Sequence, residues 1–104
     1  MGNTHAPTPR RHEDRERADD AVAIRAIIGQ IEQGWNSLDG EAFAAPFAED
    51  ADYVIVDGRY VKGRTMIAAG HRQIFAAIYR DSRNAATIER VRFLRDDVAI
   101  AHVR

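Results

Sequence analysis

Apolar positions follow two periods along this chain, one helical and one extended, and the switches between them mark the elements. Ile24, Ile27, Ile28, Ile31 and Trp35 recur at three- and four-residue steps. That is one stripe of an amphipathic helix, expected to begin near Asp19 or Asp20, either of which can cap its first turn. The run Asn36-Ser37-Leu38-Asp39-Gly40 breaks the stripe, and Asp39 can cap a second, shorter helix carrying Phe43 and Phe47. Pro46 limits its length.

From Asp52 the period changes to two. Tyr53, Ile55 and Asp57 point one way, while Asp52, Val54 and Val56 point the other, so both faces of this strand carry large apolar groups. Asp57-Gly58 after an apolar run predicts a tight hairpin into a short strand, Arg59 to Lys62. Gly63-Arg64-Thr65 then turns into a third helix with Thr65 as its expected cap and Ile67, His71, Ile74, Phe75 and Ile78 on one face. After a polar break at Asp81-Ser82-Arg83-Asn84, strands are expected over Ala86–Leu94 and Val98–Val103, joined at Asp96-Asp97. A two-residue turn there sets Phe93 opposite Ile100 and Val91 opposite His102.

The first nineteen residues differ, being rich in charge and proline with almost no large apolar side chain. Such a segment cannot offset its ordering entropy, so residues 1–19 are expected to be a disordered tail and residues 20–104 one domain. His5 and His12 in that tail could bind metal adventitiously. The chain has 104 residues, which allows one domain with a marginal core, and a second copy would help to stabilise it. A net charge of −1 offers no broad field for nucleic acid or an anionic membrane. No cysteine is present, which removes thiolate metal sites and a cysteine nucleophile. No apolar run approaches a membrane span, and no histidine pair has metal spacing. The cytoplasm is the expected location, with neither metal nor cofactor.

The chemistry-bearing candidates are few. His71 shares its helix face with Ile67 and Phe75, so it should lie against the sheet, as a hydrogen-bonded core histidine or as a proton shuttle or polar anchor in a cavity. His102 near the sheet end is a second pocket candidate. Trp35, at the end of an apolar stripe, is core or pocket wall.

Trp35-Asn36-Ser37-Leu38-Asp39, Ala42-Phe43, Phe47-Ala48-Glu49-Asp50-Ala51, the Gly58…Gly63-Arg64…Ile67 corner and His71 together resemble the SnoaL-like families of the nuclear transport factor 2-like (ketosteroid isomerase-like) superfamily. Within it the chain is most similar to the SgcJ/EcaC type, from about Ala21 to Val103. The resemblance implies an α+β fold of order α-α-β-β-α-β-β, a cone-shaped roll with N-terminal helices packed on a curved antiparallel sheet around an apolar pocket, and a homodimer through the sheet's outer face. It also implies two further strands after Arg104, so the sheet is expected to be truncated. Aligned on Phe47-Ala-Glu-Asp-Ala, the steroid isomerase's general base falls at Ile55 and its oxyanion-hole tyrosine at Ile31, and isoleucine can fill neither role. That chemistry is disfavoured.

Three functions stay open. One is a cofactor-free isomerase, cyclase or hydratase using His71 with His102, Tyr53 or Asp52. Another is a pocket that binds a small apolar molecule, with Trp35, Phe43, Phe47, Tyr53, Ile55 and Phe75 as walls. The third is a dimerisation or interaction module. A binding pocket is the favoured description, with isomerase- or cyclase-type chemistry as what the resemblance implies.

Overall fold

A computed structural model describes residues 7–104, with side chains from residue 14 onward. The elements are α1 (Pro7–Asn36), α2 (Gly40–Ala44), β1 (Asp52–Val54), β2 (Tyr60–Lys62), α3 (Arg64–Ala76), β3 (Ile88–Arg95) and β4 (Val98–Val103). The order is the one expected, and the fold is α+β. The strands pair as two separate antiparallel hairpins, β1–β2 and β3–β4. By contacts the chain divides into two compact units, Ile27–Ala86 and Met1–Ala26 with Thr87–Arg104.

The first helix starts well before Asp19. Residues 7–19, expected from composition to be unstructured, are helical, because arginine and glutamate make up most of the run after Pro9 and favour helix even without an apolar stripe. Pro7 and Pro9 fall in the first turn, where a missing N–H costs nothing. The start of that segment, with His5 and the side chain of His12, lies outside the described residues.

Within Ile27–Ala86, α1 ends in a Schellman motif: Asp39 N–H reaches Gly34 O and Leu38 N–H reaches Trp35 O, each at 2.9 Å. Leu38 takes the left-handed conformation at φ 55°. Asp39 then caps α2, its carboxylate accepting from Ala42 N–H at 3.1 Å. The three helices meet at backbone distance. A Cβ on Gly34 would stand 2.4 Å from Phe43 N, and one on Gly40 would stand 2.6 Å from Ala68 O. The core that results is Phe43, Ala44, Ile67, Ala68 and Phe75, with Ile31, Trp35, Phe47, Tyr53 and Ile74 packed against it.

The β1–β2 hairpin closes earlier than Asp57-Gly58 alone suggests. Gly58 N–H bonds Ile55 O and Ile55 N–H bonds Arg59 O, each at 2.8 Å, which makes a three-residue loop with Gly58 at φ 91°. The cap of α3 is Gly63 rather than Thr65, so no side chain caps the helix. Gly63 at φ 88° instead sends its N–H to Ala51 O at 2.7 Å while Arg64 N–H reaches Glu49 O at 3.1 Å, so the chain corner itself satisfies the helix start. Ile78 lies beyond the end of α3 and is exposed.

Residues 82–86 are held by side chains of α1. Asn36 donates to Asn84 O at 2.9 Å and accepts from Asn84 N–H at 2.6 Å, and Glu32 accepts from Ala86 N–H at 2.7 Å. Two side chains four apart on one helix face thus take the place of a neighbouring strand.

In the other unit, β3 and β4 pair through Thr87 and Arg104, which exchange two 2.8 Å bonds beyond the strand ends. The turn at Asp96-Asp97 has two residues, as expected. Two bulges then alter the register, leaving Leu94 and Glu89 without partners. Phe93 faces Ala99 and Val91 faces Ala101, whereas Arg92 pairs with Ile100 and Arg90 with His102. The expected ladder is corrected by one residue, and His102 moves to the exposed face. Arg17 of α1 lies with its guanidinium 5.6 Å from the Phe93 ring centre and 3.2 Å from Asp96.

Alanine at Gly34 or Gly40 meets backbone atoms that cannot rotate away, so each is expected to destabilise the protein by roughly 3 kcal/mol, the upper end of overpacking costs. Gly29 of α1 has open space around its Cβ position. There the same substitution should add about 0.5–1 kcal/mol, because alanine loses less entropy in a helix. Chemical denaturation of the three variants checks both signs.

Candidate functional site

The polar centre of the Ile27–Ala86 unit is His71, delivered to the core by α3 one turn after Ile67. Its Nδ1 lies 2.7 Å from Ile67 O, and a carbonyl can only accept, so Nδ1 carries the proton. Nε2 of the neutral ring is then left with its lone pair free to accept, and Tyr53 Oη stands 3.4 Å away. Tyr53 can donate there, in a bond longer than the usual range. Phe43 stacks on the imidazole at 3.9 Å between centroids, and Trp35, Tyr53 and Phe75 meet it edge-on or tilted. His71 is 7% exposed.

That enclosure sets the charge. Burial pushes the His71 pKa below the ordinary histidine value, and the hydrogen bond to Ile67 O, which favours the protonated ring, opposes it without prevailing. Burial likewise pushes the Tyr53 hydroxyl up. Both groups are therefore neutral near pH 7, a base with an open lone pair beside a proton donor.

These two groups border a cleft of about 380 Å³ between the inner face of β1–β2 and α3. Cross-strand pairs build one wall, Tyr53 with Val61 and then Ile55 with Arg59. Met66, Gly70, Gln73 and Ile74 of α3 build the other. Of the residues expected as walls, Tyr53 and Ile55 line the cleft together with His71. Trp35, Phe43, Phe47 and Phe75 do not; they pack behind the imidazole as the core that keeps it dry. His102 belongs to the other unit, exposed on β4 with Nε2 3.4 Å from Arg90 Nη2, and it lines no part of this cleft. Asp52 is turned to solvent, bonded to Tyr60 and Lys62. Its pKa is lowered by the Tyr60 hydroxyl first and by Lys62 second. Asp57 is engaged by Arg59 in the loop.

Arg59, Met66, Gly70 and Gln73 were not apparent as lining residues from sequence. Met66, Gly70 and Gln73 do fall at i, i+4 and i+7, a second stripe on α3 beside the apolar one, and that spacing could have found them. A separate cleft of about 390 Å³ lies in the other unit, between Asp20, Ile24, Phe93 and the Asp96-Asp97 turn. Its polar groups are exposed surface carboxylates, and no buried polar atom converges on it. Among the described residues no group of three His, Cys, Asp or Glu could hold a metal, and no helix is long and apolar enough to cross a membrane.

The chain matches no protein-family profile and no curated protein sequence. Among solved structures it is similar to a domain of unknown function with a cystatin-like fold from Nostoc punctiforme PCC 73102, at 40% identity and a TM-score of 0.79. The similarity covers 82% of this chain and 52% of that one, so the chain spans about half the length of that domain. The fold is thus α+β of the cystatin-like class.

Because the folded-state pKa of His71 lies below its unfolded value of about 6.5, acid protonates the unfolded chain first. Stability should be full above that value and fall as pH drops through it, levelling off only below the folded pKa. Denaturation between pH 8 and pH 5.5 should show this loss in the wild type and a flatter profile in His71→Gln, on the ~6.5 reference for unfolded histidine. A nuclear magnetic resonance titration should place His71 below the ordinary histidine range.

Proposed function

We propose that this is a small-molecule-binding pocket protein of the SnoaL-like kind, with the β1–β2/α3 cleft as its binding site and His71 as the polar anchor. The observation that carries this is one buried, neutral imidazole, its lone pair aimed at a phenol, at the edge of a cleft lined mainly by apolar side chains. His71 and Ile67 belong to the motifs that resemble the SnoaL-like families, and Tyr53 follows the Phe47-Ala-Glu-Asp-Ala motif by two residues. The pair can also move a proton. Nε2 can take one from a bound molecule while Tyr53 donates a hydrogen bond to the charge that develops, the elementary step of isomerase- and cyclase-type reactions. The steroid isomerase arrangement is a different one, since its base position falls on Ile55.

The neutral phenol p-coumaryl alcohol is a suitable probe, with an apolar body and a hydroxyl for Nε2. It should bind with shifts confined to the amides of Tyr53, Ile55, Val61, Gly70 and His71. Gly70→Leu fills the cleft without meeting any atom at its Cβ. It should fold at least as stably as the wild type, by about 0.8 kcal/mol of helix propensity, and lose binding at least ~10-fold. Scattered shifts, or binding indifferent to Gly70→Leu, would count against the pocket.

A second copy of the chain is proposed as partner on the opposite face of β1–β2. Val54 is 69% exposed there, beside Tyr60 and the Asp52–Lys62 ion pair, whose opposite charges allow self-complementary pairing, and Val56 in the adjoining loop is fully exposed. Sedimentation should show a dimer that Val54→Glu with Val56→Glu converts to monomer without changing probe affinity. A dimer that survives both changes would place the interface elsewhere.

A further inference from the structure

The cleft carries one charged side chain, and its sign narrows what can occupy it. Arg59 is the only ionic group among the lining residues, and the carboxylate it pairs with, Asp57, stands outside the lining. Its Nε is tied to Asp57 Oδ2 at 2.8 Å, and its backbone N–H meets Asp57 Oδ1 at 3.0 Å, both inside the hairpin loop. Among the described residues no protein group engages its two terminal nitrogens. Asp57 therefore anchors the guanidinium from the Nε side and leaves the other edge free, an edge that matches a carboxylate in two parallel hydrogen bonds.

Register fixes where Arg59 leaves the backbone relative to Tyr53, whose hydroxyl faces the imidazole. Tyr53 pairs with Val61 and Ile55 with Arg59, so the four side chains share the inner face of the hairpin in two successive rows. Rows two residues apart stand about 7 Å from each other along the strands. The neutral Tyr53–His71 pair occupies one row and the cation occupies the next, with Ile55, Val61, Met66 and Ile74 supplying apolar surface between and opposite them.

Resting on the reading of this cleft as a pocket, the geometry points to a small amphipathic monoanion as its ligand. The molecule is a hydroxy- or oxo-substituted carboxylic acid with an apolar skeleton. Its carboxylate lies on the Arg59 fork, and its hydroxyl or carbonyl lies at His71 Nε2 and Tyr53 Oη. The two polar ends are separated by at least one strand-row spacing. A neutral apolar molecule fills the same space and leaves Arg59 unused.

The test compares p-coumarate with p-coumaryl alcohol, which share a skeleton and differ in carboxylate against hydroxymethyl. Titration calorimetry at low ionic strength should give p-coumarate the tighter binding to the wild type. Arg59 is 75% exposed, so solvent screens it, and the preference should be about three- to tenfold and shrink as salt approaches ~0.15 M. Arg59→Met should abolish the preference by weakening p-coumarate severalfold more than the alcohol; Arg59→Lys should restore part of it. The loop bond from the residue 59 backbone N–H to Asp57 does not depend on the side chain, so the hairpin persists in both variants. Equal affinities for acid and alcohol in the wild type, or equal losses for both in Arg59→Met, would overturn the anionic assignment while leaving the pocket in place. Failure of both molecules to bind would overturn the pocket itself and this proposal with it.

Discussion

Missing side chains at Gly34 and Gly40 set the distance between the helices of the Ile27–Ala86 unit, and the chemistry of the cleft depends on that distance. With α1 and α2 touching at Gly34 and α2 and α3 at Gly40, the short α2 is wedged between two longer helices. Its one large buried side chain, Phe43, then has a single place to go, flat against the imidazole of His71. A methyl group at either glycine forces backbone apart, and a close-packed interior cannot take up such a change without moving the rings as well. The position of an aromatic ring over the polar centre is thus decided by two residues that have no side chain of their own.

The enclosure and the hydrogen bond at His71 act against each other, and their difference defines the site. Ile67 O would stabilise a protonated ring, since a charged donor makes the stronger bond. Surrounding aromatic faces remove the water that the charge needs, and this effect is the larger. What remains of the bond is its geometry: it fixes which nitrogen holds the proton and turns the lone pair of the other toward Tyr53 and the cleft. No carboxylate within the core supports the ring from behind, in contrast to histidines tuned to be strong bases. The imidazole is consequently a weak, dry acceptor, suited to anchoring a hydroxyl or receiving a proton from an already acidic group.

Where a local rule governed the outcome, the sequence was legible. The Ile28, Ile31 and Trp35 stripe, the Asp39 cap and the placement of His71 between Ile67 and Phe75 all follow from periods and capping within a turn or two. Legibility failed where distant groups decided. The clamp of Glu32 and Asn36 on residues 84–86 joins polar side chains to backbone about fifty residues away, and neither partner carries a local mark of it. Leu94 looks like any strand residue, yet its bulge turns His102 outward, because slipping by one places Val91 and Phe93 opposite small alanines. The aromatic residues Trp35, Phe43, Phe47 and Phe75 were recognisable as packed groups. Whether they faced a cavity or sealed the space behind it depended on α3, whose small Gly70 opens the cleft on the other side of the imidazole.

Trp35 joins several of these features. Its indole N–H reaches Ser82 Oγ at 2.9 Å, Ser82 in turn donates to Tyr79 O at 2.7 Å, and its ring lies 6.1 Å from the centre of His71. The sequence holds no other tryptophan. All of the protein's long-wavelength emission therefore comes from one indole in van der Waals reach of the polar centre. An excited indole gives up an electron to an imidazolium more readily than to a neutral imidazole, so the brightness of that emission follows the charge on His71. The fold has in effect placed a lamp beside its own titrating group, and light alone can follow what happens there.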